Sequence, residues 1–286
     1  MMIENILFPV DFSPSCVAMA PFVKKGAAMF SAKVTLLHVL EPPSSGFELY
    51  VRPLREVEED REQVARAKLD SFLVSEFLPP ASSRVLRMGD AATRIVETAR
   101  AGGFDLIITP THAGVFRRML LGSTTAKVLN DAECPILTTQ HAEKIVPMPL
   151  EHREWVCAIG LQADSERVLR YASQLARSVH ANLTLLHAIP SSKPGMEVQL
   201  DLEERVQSAE RKAARRRLEE LQRKVGSNAR AIITVGPIKD GLTEAARTLR
   251  ADVLIIGRST QPVAQGRLRD LTYAVVRDAP CPVLSV

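Results

Sequence analysis

Aromatic residues are scarce in this chain: its 286 residues include one Trp, three Tyr and nine Phe. Cysteine is sparse as well. Cys16, Cys134, Cys157 and Cys281 form no CxxC pair and no Cys/His cluster, so no zinc site is expected. Such isolated cysteines suit a reducing compartment. No apolar run approaches the roughly 18 residues of a membrane span. The opening MMIENILFPV lacks the charged-then-apolar pattern of a secretion signal. A cytoplasmic protein with no membrane partner is therefore expected. Neither GxxxxGK[ST] nor GxGxxG occurs; Gly122–Lys127 imitates a phosphate loop without its glycine-lysine core. The net charge of +4 and pI near 9.0 are only mildly basic, and by themselves argue weakly for nucleic acid.

What the chain does contain is an internal repeat. Ala32-Lys33-Val34-Thr35-Leu36-Leu37-His38 returns 149 residues on as Ala181-Asn182-Leu183-Thr184-Leu185-Leu186-His187. Asp105-Leu106-Ile107-Ile108 and Cys134-Pro135-Ile136-Leu137 both return 147 residues on, as Asp252-Val253-Leu254-Ile255 and Cys281-Pro282-Val283-Leu284. Three blocks at nearly constant spacing imply a duplication. Domain 1 spans 1–140, a Pro-containing linker 141–151, and domain 2 spans 152–286.

Each half alternates apolar strands with amphipathic helices. In the first, strands are expected at 5–10, 33–39, 83–87, 105–109 and 135–139, and helices at 15–30, 56–77, 92–101 and 123–130. The second half follows the same order. Such βαβ alternation predicts two tandem doubly wound α/β domains, each a five-stranded parallel sheet with helices on both faces. Ligands in such sheets bind beyond the carboxyl ends of the strands. The last strands, apolar and short, read as edge strands that invite pairing.

Other constellations have plainer readings. His38 and His187 close equivalent strands without convergent partners, which suits packed or hydrogen-bonded histidines more than metal ligands. Asp11, His112 and Ser123 supply the residue types of a triad, but no nucleophile elbow accompanies them. The long helix at 202–225 carries Arg211, Lys212, Arg215, Arg216 and Arg217 among glutamates. It reads first as a solvated face and otherwise as a docking surface for an acidic partner. No aromatic residues accompany this cluster, which disfavours nucleic acid as a partner.

The strand exit Leu7-Phe8-Pro9-Val10-Asp11-Phe12-Ser13 resembles the opening motif of the universal stress protein family. So do Leu36-Leu37-His38-Val39, Gly89-Asp90 and Leu120-Leu121-Gly122-Ser123. The resemblance covers both halves. It implies a Rossmann-like, adenine nucleotide α-hydrolase-like fold, a role in stress sensing or signalling, and no enzymatic turnover. It also implies an atypical ATP site in domain 1 formed by Val10, Asp11, Val39, His112, Gly114, Gly122, Ser123 and Thr124. In that site Asp11 would meet ribose, the Val39 backbone the adenine edge, and the start of the helix at Ser123 the phosphates. The family's Gly-x-x-Gly pair is replaced by Pro110 and Ala113; Arg117 and Arg118 could pair with phosphate instead. Domain 2 departs further. Gly160 stands for Asp11, and Arg269-Asp270 for Gly122-Ser123, so phosphate binding is expected to be lost there. Resemblance further implies that the two halves pair as an intrachain pseudo-dimer and that two chains associate as a homodimer. The rival readings are a protein-interaction scaffold that binds no nucleotide and a weak ATPase using Asp11 or His112.

Overall fold

The computed structural model describes residues 3–42, 54–111, 121–139, 153–190, 200–258 and 265–286; side chains at 54, 200–204 and 265–270 are excepted. The chain divides into two compact units, Met2–Lys144 and Ile145–Val286.

The first unit opens with β1 (Asn5–Pro9), whose residues from Ile6 onward are all buried. A run of apolar residues without alternation is what a strand covered on both faces requires. Helix α1 (Pro14–Phe30) follows at once. Pro14 sits at its first turn, and Ser13 caps it by accepting a hydrogen bond from Cys16 N–H at 3.4 Å. The chain then forms β2 (Lys33–Leu40), α2 (Leu54–Ser71), β3 (Ser82–Met88), α3 (Ala91–Ala101), β4 (Leu106–Pro110), α4 (Ser123–Asp131) and β5 (Ile136–Thr139). Within this unit the strands lie in the order β3-β2-β1-β4-β5, and each described pairing is parallel. Phe8, Leu36, Leu37, Ile107 and Ile108 form the centre of the core, each at most 1% exposed.

The sequence expects α2 to run on to Phe77, but it ends at Ser71. Leu73 takes a left-handed backbone with φ of 50°, which a right-handed helix cannot pass through. The turn that follows carries Phe77 back onto Phe8, with ring centroids 6.1 Å apart. Lys24 of α1 meets Glu76 of the same turn at 2.9 Å, so α1 and this segment share one face of the sheet. On the other face Lys127 of α4 reaches Asp90, which caps α3, at 3.4 Å.

The second unit repeats the order as β6 (Glu154–Ala158), α5 (Ser165–Ser178), β7 (Asn182–Ile189), α6 (Leu200–Val225), β8 (Arg230–Val235), α7 (Ile238–Thr248), β9 (Val253–Ile256), α8 (Gln265–Asp278) and β10 (Val283–Ser285). Its strands lie β8-β7-β6-β9-β10, parallel throughout.

The repeated residues have matching structural duties. The Asp105 carboxylate accepts from the N–H groups of Glu4 and Asn5 at 2.9 and 3.0 Å, holding the start of β4 to the start of β1. Asp252 accepts from Glu154 N–H at 3.2 Å in the second unit. No described helix is long and apolar enough to cross a membrane.

Candidate functional site

In each unit the chain leaves its central strand towards one side and later returns to the other, so the crevice of the sheet opens where that central strand ends. In the first unit this is the end of β1, between β2 and β4.

Asp11 follows β1 immediately. Its Oδ1 accepts from Ser13 N–H at 2.9 Å and lies 3.1 Å from the Cys16 thiol. Burial by itself would raise the carboxyl pKa. The hydrogen bonds from Ser13 and Cys16 together outweigh burial and hold it below the usual carboxylate range. Asp11 is therefore an anion at neutral pH, partly committed to the α1 turn. Phe12 takes a left-handed backbone, φ 64°, and turns its ring onto His38 at 4.2 Å and onto the edge of Phe72 at 5.1 Å. Lys68 Nζ lies 4.6 Å from the same ring.

His38 Nδ1 lies 2.8 Å from the Val10 carbonyl. A carbonyl only accepts, so Nδ1 carries the hydrogen and Nε2 the lone pair. Val10 N–H in turn donates to Leu37 O at 2.8 Å. The Val10 backbone, expected to meet ligand, is thus engaged on both sides. Val39 differs. Leu37 O serves the β1 side and Leu40 O accepts from Gly89 N–H on the β3 side, so odd residues of β2 present their backbone towards β1. At Val39 β1 has ended, and its N–H and C=O face the crevice.

The other wall is α4. Gly122 is its cap residue, and the Gly122 N–H donates to Thr111 O at 3.0 Å. Gly122 therefore closes the turn and does not offer its own N–H. The first bond of the helix is Ala126 N–H to Gly122 O, at 2.9 Å. The N–H groups of Ser123, Thr124 and Thr125 precede it and have no helical acceptor. Thr125 Oγ1 donates to Pro110 O at 3.1 Å, which fixes this helix start against the end of β4. Ser123 is exposed, and Thr124 half-buried. His112 and Gly114 lie outside the described residues, as do Ala113, Arg117 and Arg118. The structure thus brings Val10, Asp11, Val39, Gly122, Ser123 and Thr124 to one end of one sheet. Among the described residues, three orphan donors stand at α4 and a free backbone edge at Val39. Such an arrangement can hold an anion at the helix start and a hydrogen-bonding edge against the strand.

The second unit holds a cavity of about 580 Å³ beyond β6, β7 and β9. Ile159, Leu186, Ile238, Leu242, Ile256 and Val275 give it apolar walls. Polar groups enter from Gln162, Asp164, Ser165, His187 and Thr272. His187 repeats the role of His38, with Nδ1 2.7 Å from Ile159 O. Gly257 belongs here for a packing reason. A Cβ at that position would lie 2.9 Å from Val168 Cγ2 and 3.1 Å from Asp164 Oδ2. The sequence alignment puts Arg269-Asp270 at a helix start; α8 begins at Gln265, so these residues stand inside it. The carboxylate lining the crevice is instead Asp164, at the cap position of α5, which makes no capping bond with its side chain. Sequence reasoning missed Asp164, although its place just before Ser165-Glu166 marks a helix start. No group of three or more His, Cys, Asp or Glu suited to a metal ion occurs among the described residues.

Comparison with known proteins agrees with this architecture. The family model described as "Universal stress protein family" matches residues 2–140 and again 153–286. A universal stress protein A homolog 2 of Coxiella burnetii is 30% identical over 124 residues, 42% of this chain and 84% of that protein. A universal stress protein of Archaeoglobus fulgidus has a similar solved structure: TM-score 0.68 at 16% identity, covering 99% of this chain and 96% of that one. A protein of unknown function from Pseudomonas aeruginosa reaches 0.62 at 18% identity, over 99% of this chain and 92% of its own. At these identities the structures speak for the fold, and the two matched regions for the family. The chain belongs to the universal stress protein family, as a member with two tandem domains.

Proposed function

We propose that this tandem protein acts in stress sensing or signalling through an adenine nucleotide, ATP in the first instance, held by its first unit, and that it does not turn the nucleotide over. The observation that carries this reading is the start of α4. Three N–H groups without acceptors among the described residues stand there, at the positive end of the helix, pinned to β4 by Thr125. The phosphates would lie at Ser123 and Thr124, and the adenine edge would meet the Val39 backbone. Asp11 would accept from the ribose with whatever capacity its bonds to Ser13 and Cys16 leave. In the second unit the walls are apolar, and among the described residues the carboxylate in the lining is Asp164, which opposes phosphate.

The test is calorimetric titration of the full chain with ATP, beside the Gly122→Asp variant. Gly122 has an ordinary negative φ of −59°, and a Cβ there would meet Thr111 O at 3.5 Å, normal contact. Aspartate is also a good cap residue, so the fold is kept while its carboxylate takes the free N–H groups. One site per chain in the native protein and none in the variant is the expected result. Absence of heat with both, or equal binding by both, would remove the reading.

A further inference from the structure

We propose that the outer edge of β8, with the basic groove beside it, takes an acidic protein segment as an added parallel or antiparallel strand. This surface lies in the second unit and is independent of the nucleotide reading.

The strand β8 ends its unit's order, with β7 on one side only. Gly236 N–H donates to Ile189 O at 2.9 Å, so the even-numbered residues of β8 bond to β7. Ala231, Ile233 and Val235 then present their N–H and C=O groups outward, where no described strand pairs with them. An open row of this kind is a template for another chain. The equivalent edge of the first unit is treated differently. There Arg84 of β3 folds its guanidinium back onto the carbonyls of Leu69, Phe72 and Phe77, at 3.0 to 3.3 Å, and ties the edge to the turn after α2.

Beside β8 the groove is lined by Arg211, Lys212 and Arg215 of α6 and by Arg230, with Ala231 and Ile233 as its floor. Positions 211 and 215 are one helical turn apart, so both project on the same side of α6. Among the described residues no carboxylate lines the groove. None of the four cations makes an ion pair or side-chain hydrogen bond among the described residues, although elsewhere on the surface Arg170 pairs with Glu166 and Arg247 with Glu244. Four unpaired cations along an open strand edge select the partner's chemistry. The main chain of an incoming strand satisfies Ala231 and Ile233, and carboxylates on alternate residues of that strand meet the arginines and the lysine.

The experiment is fluorescence polarisation of a labelled octapeptide alternating valine and glutamate, titrated with the full chain. Binding that weakens with added salt is expected, and the double variant Arg211→Glu/Arg215→Glu should bind about tenfold more weakly or worse. Ile233→Pro removes one outward N–H and no bond to β7, which an edge strand tolerates, and should weaken the peptide by about tenfold as well. Should that variant fail to fold, the native protein is tested with the octapeptide N-methylated at alternate residues, which should bind as weakly. Single-stranded poly(U), which offers no strand edge, is the control: its affinity should fall on charge reversal and stay unchanged in Ile233→Pro. Peptide binding indifferent to both the proline and the N-methyl groups would overturn the proposal and leave a general polyanion surface. No peptide binding at low salt would overturn it as well.

Discussion

His38 and Val10 are joined across the ends of β2 and β1 by a 2.8 Å hydrogen bond, and His187 and Ile159 are joined in the same way at 2.7 Å. The bond lets a side chain replace the ladder at the point where the central strand stops, and so keeps the crevice open beyond it. It also has a pH signature. Burial, the largest influence, disfavours the His38 imidazolium, and Lys68 opposes it further, against the favourable Val10 carbonyl and Asp11; the pKa lies below the ordinary 6.5. On lowering the pH through 6.5 the unfolded chain takes the proton first, so stability falls until the pH passes the folded value. His38→Leu should cost about 1 kcal/mol at neutral pH and less near pH 5.5. Urea unfolding of both proteins at the two pH values checks this. A constant difference between them would mean that His38 does not titrate in this window.

Three thiols are set apart from solvent chemistry. Burial pushes Cys16 up to about 12, with the neighbouring Asp11 carboxylate adding to it. Burial alone does the same to Cys157, and burial with Asp252 to Cys281, each to about 12. Cys134 is the half-buried one. Alkylation with iodoacetamide near pH 8 should therefore label Cys134 first in the native protein, and all four in urea, because the thiolate is the reacting form. Peptide mass analysis reads the sites directly. Early labelling of Cys16 would show that the α1 turn opens readily.

The repeat was the most legible feature of the sequence, because the same residues carry the same structural load twice. Asp105 and Asp252 secure the first strand of each unit, and His38 and His187 close it, so both pairs kept their identity and spacing. Strand positions followed from uninterrupted apolar runs, which only a sheet covered on both faces demands. The end of α2 was not legible: a left-handed Leu73 carries no turn residue to announce it. The site was legible in part. Gly122-Ser123 marks a helix start in sequence, but the donation of the Gly122 N–H to Thr111, and of the Thr125 hydroxyl to Pro110, depends on contacts that no local pattern contains. Counting back from the shared Cys-Pro put the second unit's helix start about a turn too late, because α8 ends at the same distance from that Cys-Pro as α4 does but is 14 residues long against 9.

Arg84 offers a direct measure of how the first unit's edge is held. Its guanidinium donates to three main-chain carbonyls, of Leu69, Phe72 and Phe77. Truncation to alanine would leave these acceptors without their donor and loosen the turn that carries Phe77, 4% exposed, into the core. Arg84→Ala should lower stability by about 2 kcal/mol in urea unfolding, while Arg87→Ala, whose guanidinium meets only Leu86 O, at 3.3 Å, among the described residues, should cost well under half of that. Equal effects would mean that the carbonyls find water in the variant.

Gly122 and Gly257 stand at the crevices of the two units, and their alanine variants should separate binding from packing. At Gly122 a Cβ meets Thr111 O at 3.5 Å, an ordinary contact, so Gly122→Ala should leave stability nearly unchanged. At Gly257 the Cβ would come within 2.9 Å of Val168 Cγ2, a side chain 2% exposed with little room to retreat. Gly257→Ala should therefore cost about 1–3 kcal/mol, as overpacking does. If the first unit alone takes nucleotide, the same variant leaves the ATP titration unchanged at temperatures where it is folded. Loss of ATP binding with no loss of stability in Gly257→Ala would place the nucleotide in the second unit instead, and would make the apolar cavity behind Asp164 its seat.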